Sequence, residues 1–359
     1  FYAPLGIFPL MLAICTDLKN AQKVKEHLLR QQILDHRYLP IKELGKIYFP
    51  LLKKAGTKIS GAEAVDTKFA FLEKPSAPKV EELLYNKLTH HELQNLPKSQ
   101  EIIGNIMILE IPKELQHKEK VIAEAYLKAN KHIQTVVRKE EIHSGVYRTR
   151  TVKVLAGKNT KETIHGENGV QMKVNLEQTY FSAKSAHERL RIAQLVQLGE
   201  EILVMFSGVA PYPLVLAKNS PANKIYGIEI NPQAHILAQQ NLELNRLGHK
   251  IQLWEGDVRK IVPTMKILFD RIIMPLPKTG EEFLDVALPK AKKAGTIHLY
   301  AFLAEEEIAS EGKKILGLCK TLGYKVKLLQ AVKCGQFAPR VFRVCFDLRV
   351  EKAMKIARM

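Results

Sequence analysis

The sequence predicts an α/β protein. Its C-terminal part, residues 186–359, reads as a doubly wound Rossmann-like sheet, preceded by two smaller α+β domains, 1–74 and 75–185. Three observations predict this. From residue 185 onward, short apolar runs alternate with stretches of helical periodicity, the pattern of βαβ units in a parallel sheet. Before that point, strand-like runs cluster without such alternation, as α+β domains do. Between the first two regions, "EKPSAPK" (73–79) is a Pro/Ser linker signal.

In the first domain, "LMLAICTD" (10–17) reads as a strand and "NAQKVKEHLLRQQIL" (20–34) as a helix. "RYLPIKELGKIYFPLLK" (37–53) and "KFAFLEK" (68–74) alternate as strands do. The second domain reads as a helix near 80–92, a strand "IGNIMILEI" (103–111) and a helix "KELQHKEKVIAEAYLKA" (113–129). Strand candidates follow at 135–139, 148–157 and 162–176, with hairpins among them. The third begins with the helix "SAHERLRIAQLVQL" (185–198). Strands at 201–206, 224–230, 251–256, 271–276 and 295–303 then alternate with helices after 211, over 232–248, near 281–293 and near 304–322. The last two strands, "YKVKLLQAVKC" (324–334) and "VFRVCFDLRV" (341–350), have no helix between them and are expected to pair antiparallel at the end of the sheet.

Composition narrows the function classes. At 46% hydrophobic and 26% charged, the 359 residues are ordinary globular material. The longest apolar run, Ala3 to Cys15, is broken by Pro4, Gly6 and Pro9 and falls short of the ~20 residues a membrane helix needs. It lacks the basic start and cleavage site of a signal peptide. Residues 1–10 read as an extension ahead of Met11. The four cysteines, Cys15, Cys319, Cys334 and Cys345, form no CxxC pair, so neither a disulfide framework nor a metal site is expected. A cytoplasmic monomer without membrane contact is the expectation. The balance of 55 Lys+Arg against 37 Asp+Glu gives a net charge of +18. Such a field attracts polyanions, in the cytosol mainly nucleic acids; a lysine-rich thermophilic proteome is the other source of such a charge. Residues 1–79 contribute 13 basic and 7 acidic residues to it.

The third region also carries a constellation of strand ends. "MFSGVAPYP" (205–213) puts Gly208 at the carboxyl end of the first strand, where open α/β sheets bind ligands. Glu229, in "IYGIEINP", ends the second strand and is suited to both ribose hydroxyls of an adenosine. Asp257, in "LWEGDVRK", ends the third and is suited to an adenine amino group. "DRIIMPLPKTG" brings Pro275 and Pro277 to the end of the fourth. Singly, such acidic residues are usually helix caps or turn formers. Together and in this order they point to an adenosine ligand. The loop lacks the three glycines of a dinucleotide fingerprint and the Gly-Lys-Ser/Thr of a P-loop. S-adenosylmethionine, an adenosine with no phosphate and a cationic sulfonium, fits best.

These segments also carry a resemblance. "RTR" (148–150), "IHGENG" (164–169), "TYFSAKSAHERLRIA" (179–193), "VMFSGVAPYPL", "YGIEINP", "EGDVR", "IIMPLPK" and "FAPRVFRVCFDLRV" follow one another in an order that resembles the archaeal and eukaryotic tRNA (guanine-37-N1) methyltransferase family, with its wyosine-pathway C7-methyltransferase branch. The resemblance spans about 100–350 and is weaker over 11–70, where the family has a small tRNA-docking domain. It implies a class I methyltransferase domain using S-adenosylmethionine on nucleotide 37 of tRNA. Phe206, Ser207, Gly208, Val209 and Pro211 would line the methionine end, Glu229 would hold the ribose, and Asp257 and Val258 would meet the adenine. Glu188, in "ERLR", would be the general base. Arg148 would hold the base oxygen and offset its developing charge, and Tyr180 would stack on the flipped base. Without the resemblance, Glu188 reads as a helix-surface ion-pair partner of Arg191 or Lys184, Arg148 as a solvated strand residue and Tyr180 as core.

The chain departs from the family at Val204, where an acidic residue is usual, at Ala210, where a second glycine is usual, and at Pro275, where most members have asparagine. Pro275 leaves N1 of guanosine and C7 of the tricyclic wyosine intermediate both open as acceptors. The departures also motivate a second class, an RNA-binding protein that keeps a methyltransferase fold without catalysis. A third class, a small-molecule methyltransferase, is disfavoured by the charge.

Overall fold

The computed structural model describes residues 11–53, 59–67, 69–73, 78–98, 100–140, 147 and 149–353. The 1–10 segment, most of the 73–79 linker and Arg148 lie outside them. The chain divides into two compact units, 1–77 and 78–359.

In the first unit, β1 (Met11–Asp17), β2 (Ile41–Glu43), β3 (Lys46–Pro50) and β4 (Ala62–Thr67) form an antiparallel sheet in the order β2-β3-β1-β4. The helix Ala21–Arg30 lays Val24 and Leu28 on Ile14 and Phe49. Among the described residues 69–73, the strand expected over 68–74 is reduced to an isolated bridge between Glu73 and Tyr38. Phe69 instead packs edge-on against Tyr48, 4.9 Å between ring centroids, and Phe71 is buried, so these rings cover the sheet and β4 takes the ladder position beside β1.

The second unit opens with two short helices, Val80–Leu84 and His90–Gln94, in place of one expected helix. Thr89 starts the second with a capping box to Glu92. The expected strand over 103–111 is a hairpin, β5 (Gln100–Ile103) and β6 (Ile106–Leu109), turning at Gly104. Gly104 has φ +55°, and a Cβ there would collide with Thr163 Oγ1 and the Ile164 carbonyl. Gly104→Ala is therefore expected to cost about 2–3 kcal/mol, combining left-handed strain with overpacking; urea denaturation at neutral pH checks this. A parallel crossover through the helix Glu119–Ala129 leads to β7 (Thr135–Lys139), and β8 (Val152–Gly157) closes this sheet, ordered β5-β6-β7-β8. β9 (Glu162–Glu167) and β10 (Val170–Asn175) form a hairpin around Asn168-Gly169, both at positive φ.

The large sheet contains β11 (Glu201–Met205), β12 (Lys224–Glu229), β13 (Ile251–Glu255), β14 (Phe269–Met274), β15 (Ala291–Ala304), β16 (Tyr324–Ala338) and β17 (Val341–Ala353). Its order is β13-β12-β11-β14-β15-β17-β16. The first five strands are parallel, and β17 is antiparallel to both β15 and β16. The expected antiparallel pair is present, with β17 inside the sheet and β16 at its edge. The helix expected near 281–293 is a run of consecutive 3-10 and α turns, Gly280–Phe283, Leu284–Ala287 and Leu288–Lys290, and Ala291 is already in β15. Pro289 has no N–H to donate and stops a longer helix there. One apolar cluster under the helices Ala186–Leu195, Pro211–Asn219 and Pro232–Asn245, and another under Val258–Thr264 and Ile308–Thr321, cover the two faces. The strand order reverses between β11 and β14, which opens a crevice at their carboxyl ends.

Candidate functional site

The loop after β11 is wound tightly. Phe206, Gly208 and Ala210 all take positive φ, at 60°, 56° and 67°. Only one is glycine, so two side chains are held in a conformation that costs about 1–2 kcal/mol each. Pro211 then starts the helix Pro211–Asn219, its ring preset for a first helical position. The left-handed turn persists although alanine stands at 210. Ser207 N–H donates to the Ile228 carbonyl at 2.8 Å, which ties the loop to the end of β12.

Glu229 ends β12 and accepts from two loop amides, Gly208 N–H at 2.6 Å and Asn231 N–H at 2.8 Å. Burial raises its carboxyl above the usual glutamate range, and these backbone bonds only partly offset that. Asp257 follows the last residue of β13, Glu255, and caps the helix Val258–Thr264, accepting from Arg259 N–H at 2.8 Å. Its capping role and its place at the crevice coexist.

Three adjoining cavities share Phe206. The first, about 410 Å³, is lined by Phe206, Ile230, Asp257, Val258, Leu276 and Phe283, among others. A smaller one reaches Gly208, Glu229, Tyr180 and Pro275. The third is bounded by Tyr180, Ser207, Gly208, Pro211, Pro275, Pro277, Tyr212, Tyr300 and Arg343. Most of the residues singled out in the sequence thus meet in one crevice. Val209 lines none of these cavities; its side chain is fully buried in the core. Arg148 lies outside the described residues.

Glu188 is buried, at 3% exposure, and also lines none of the three cavities. Its helix, Ala186–Leu195, is clamped by Arg189, which makes a two-point ion pair with Glu167 at the end of β9 and donates to the Ser182 carbonyl. Glu188 accepts two bonds from Arg191, at 2.7 and 2.8 Å, and a third from the Tyr300 hydroxyl at 2.7 Å. Tyr300 accepts from Tyr212 at 2.9 Å. Burial pushes both phenols well above their ordinary range. Arg191 also reaches Asp347 at 2.8 Å. Burial opposes the Arg191 charge, but the two carboxylates outweigh it and keep the guanidinium protonated.

Asp347 is the hub behind the pocket. It accepts from Arg191, from Gln330 at 2.7 Å and from His298 Nδ1 at 2.5 Å. His298 Nε2 meets Arg271 Nη1 at 2.6 Å. A guanidinium can only donate, so Nε2 accepts and the imidazole is neutral with its proton on Nδ1. His298, Cys345 and Asp347 lie close enough to share an ion, but two guanidiniums already bond to this group and oppose a dication.

Sequence reasoning missed Tyr212, Tyr300, Arg343 and Asp347. Tyr212 stood in the quoted loop between two prolines, and Asp347 was an acidic residue inside an apolar strand; both signals were legible. Arg343 lay in the quoted segment "FAPRVFRVCFDLRV", but nothing local marked Tyr300.

The comparisons with known proteins agree with this geometry. Residues 163–327 match the TRM5/TYW2 methyltransferase domain model, and residues 80–160 match the TYW2 N-terminal domain model. A tRNA (guanine(37)-N(1))-methyltransferase Trm5b of Pyrococcus abyssi is 35% identical over 344 residues, 94% of this chain and 99% of that one. A crystal structure of wild-type Trm5b from Pyrococcus abyssi has a TM-score of 0.69 at 32% identity, covering 96% of this chain and 100% of that one. A tRNA(Phe) (4-demethylwyosine(37)-C(7)) aminocarboxypropyltransferase of Pyrococcus horikoshii is 31% identical over 277 residues, 77% of this chain and 98% of its own. A tRNA (guanine(37)-N(1))/4-demethylwyosine(37)-methyltransferase Taw22 of Nanoarchaeum equitans is 31% identical over 300 residues, 70% of this chain and 99% of its own.

Proposed function

We propose a function from one premise: the chain belongs to the TRM5/TYW2 methyltransferase family. It is a tRNA methyltransferase that uses S-adenosylmethionine and acts on nucleotide 37 of the anticodon loop. Its acceptor is N1 of guanosine, C7 of the demethylwyosine intermediate, or both, the activities carried in the names of its Pyrococcus abyssi and Nanoarchaeum equitans relatives. It works in the cytoplasm, where tRNA is matured, and as a monomer. Among the described residues no helix is long and apolar enough to cross a membrane.

The observation that carries this reading is the crevice at the strand-order reversal, where three cavities that share Phe206 are lined by Asp257, by Glu229, and by Tyr180, Pro275 and Pro277. The cofactor fits the residues present. The first cavity has room for a nucleoside; Asp257 and Glu282 border it, alongside Arg259, whose guanidinium is already bonded to Asp285 and the Glu282 carbonyl. Asp257 and Val258 take the adenine end, Glu229 the ribose, and Phe206, Ser207, Gly208 and Pro211 the methionine end. Val209 supports that loop from the core. Bound there, the cofactor supplies an electrophilic methyl group on a cationic sulfur. Tyr180, about one-third exposed, offers its ring to the target base. Glu188 takes the proton that the acceptor loses, and Arg148 steadies the base oxygen. Pro275 and Pro277 offer the base an apolar wall without an amide.

The test is a nucleoside digest of two tRNAs after incubation with protein and S-adenosylmethionine, one bearing guanosine at position 37 and the other the demethylwyosine intermediate. The expected result is a methyl group on at least one of them. N1-methylguanosine means that Pro275 is tolerated at the asparagine position. A methyl group only on the tricyclic base assigns the chain to C7 chemistry. An aminocarboxypropyl group would instead align it with its Pyrococcus horikoshii relative, and no transfer to either would leave an RNA-binding role.

A further inference from the structure

We propose that Tyr212 and Tyr300 form a two-phenol relay that carries the proton lost by the target base to Glu188. The proposal rests on Glu188 being the final proton acceptor, as read above. It answers a problem of access. The methyl-accepting atom must shed a proton, yet the Glu188 carboxylate is buried and lines none of the crevice cavities. Two phenols, Tyr212 and Tyr300, connect Glu188 by hydrogen bonds to the pocket lining. Both line the pocket bounded by Tyr180, Pro275 and Pro277.

The donors all point one way. Tyr212 Oη donates to Tyr300 Oη at 2.9 Å, and Tyr300 Oη donates to Glu188 Oε1 at 2.7 Å. Tyr212 Oη keeps acceptor capacity, because a hydroxyl has two lone pairs and one proton. An N–H of the base that meets Tyr212 would complete a chain of donors ending on a carboxylate. Arg191 pins that carboxylate with two further bonds and is itself anchored on Asp347, so the end of the relay is fixed. Burial disfavours a free phenolate at either tyrosine, which suits a proton that passes through without stopping.

The step balances. As the acceptor nitrogen gains its bond to the methyl carbon, the sulfur–methyl bond breaks and sulfur keeps the electron pair. The N–H proton goes to Tyr212 Oη, the Tyr212 proton to Tyr300 Oη, and the Tyr300 proton to Glu188. Each phenol gives one proton and receives one, so both end neutral. Glu188 ends as the carboxylic acid. A carbon acceptor sheds its proton into the same relay after its bond to methyl has formed. Once product leaves, the proton returns along the same path.

Tyr300→Phe and Tyr212→Phe keep the rings and remove the hydroxyls. Single-turnover methyl transfer is expected to fall by about 100-fold or more in Tyr300→Phe, within the usual range for general acid–base catalysis. The dissociation constant for S-adenosylmethionine by calorimetry and the KM for tRNA should stay at the wild-type values. A role confined to packing would not bend a proton inventory. Wild-type transfer in H2O/D2O mixtures should give a curved inventory, from several protons moving together, and Tyr212→Phe a linear one. Transfer by Tyr300→Phe within about threefold of wild type, or a linear wild-type inventory, overturns the relay. Wild-type protein is assayed alongside on both tRNAs. If it transfers nothing, the proposed function itself fails and the relay falls with it; if only the variants' behaviour is wrong, the function stands without the relay.

Discussion

Glu188→Gln is expected to lose roughly 10²–10⁴-fold in methyl-transfer rate, the range that a positioned general base contributes, while S-adenosylmethionine still binds. Glutamine is the informative replacement because the site is buried and crowded. Its amide oxygen can still accept from Tyr300, which donates to Glu188 at 2.7 Å in the native protein. Arg191 keeps its bonds to Asp347, but it donates to both Glu188 oxygens, and one of those donors then faces the glutamine NH2. Stability should therefore fall by about 1–3 kcal/mol, the cost of a buried donor left unsatisfied, and the rate is compared on folded protein. Rapid-quench single-turnover assays measure the rate, and calorimetry with S-adenosylmethionine checks the cofactor site. Turnover at the wild-type rate would remove Glu188 as the base.

Asp347→Asn should act mainly through stability. Asp347 is 2% exposed and accepts from Arg191, His298 and Gln330. Breaking a buried charged network by removing one partner costs about 3–5 kcal/mol. The loss should depend on pH. Burial works against the Asp347 charge, but the bonds from His298 and Arg191 outweigh it and hold the carboxyl well below its ordinary range. A carboxyl whose folded pKa is depressed stabilises the protein above its unfolded pKa of about 3.9 and loses that contribution as pH falls further. The gap between wild type and Asp347→Asn should therefore be full at neutral pH and shrink below about pH 4. Urea denaturation at a series of pH values measures it. A gap that stays constant into the acid range would mean that packing at 347, not charge, supplies the stability.

Much of this could be read in the sequence because it lay in short, ordered segments. The alternation after residue 185 produced the large sheet, and the absence of a helix between the last two strands produced the antiparallel pair. Strand ends placed Gly208, Glu229 and Asp257 beside the crevice because the carboxyl end of a parallel strand has a fixed position relative to its neighbours. What stayed hidden depended on contacts between distant residues. Gly104 turns a hairpin at positive φ, packed against β9 where no side chain fits, and a lone glycine in an apolar run does not show this, so residues 103–111 looked like one strand. Phe69 and Phe71 alternate like strand residues, but they serve to cover a sheet. Glu188 was singled out in the sequence, but its bond to the Tyr300 hydroxyl was not legible there. Tyr300 is 112 residues away in sequence and meets Glu188 only through the order in which the strands are laid.

That order also bears on how the protein is made. Translation delivers β15, then β16, and only afterwards β17, the strand that lies between them. Until residues 341–353 leave the ribosome, β15 presents an open edge of unpaired amides and carbonyls, and open edges invite pairing with other chains. The same late strand carries Asp347. The nascent domain therefore has neither a closed sheet nor an anchor for Arg191, and the hydrogen-bond network around Glu188 is completed in the same event that seals the edge. A chain stalled before β17 would be exposed to aggregation, and it would also lack the assembled chemistry of the finished protein.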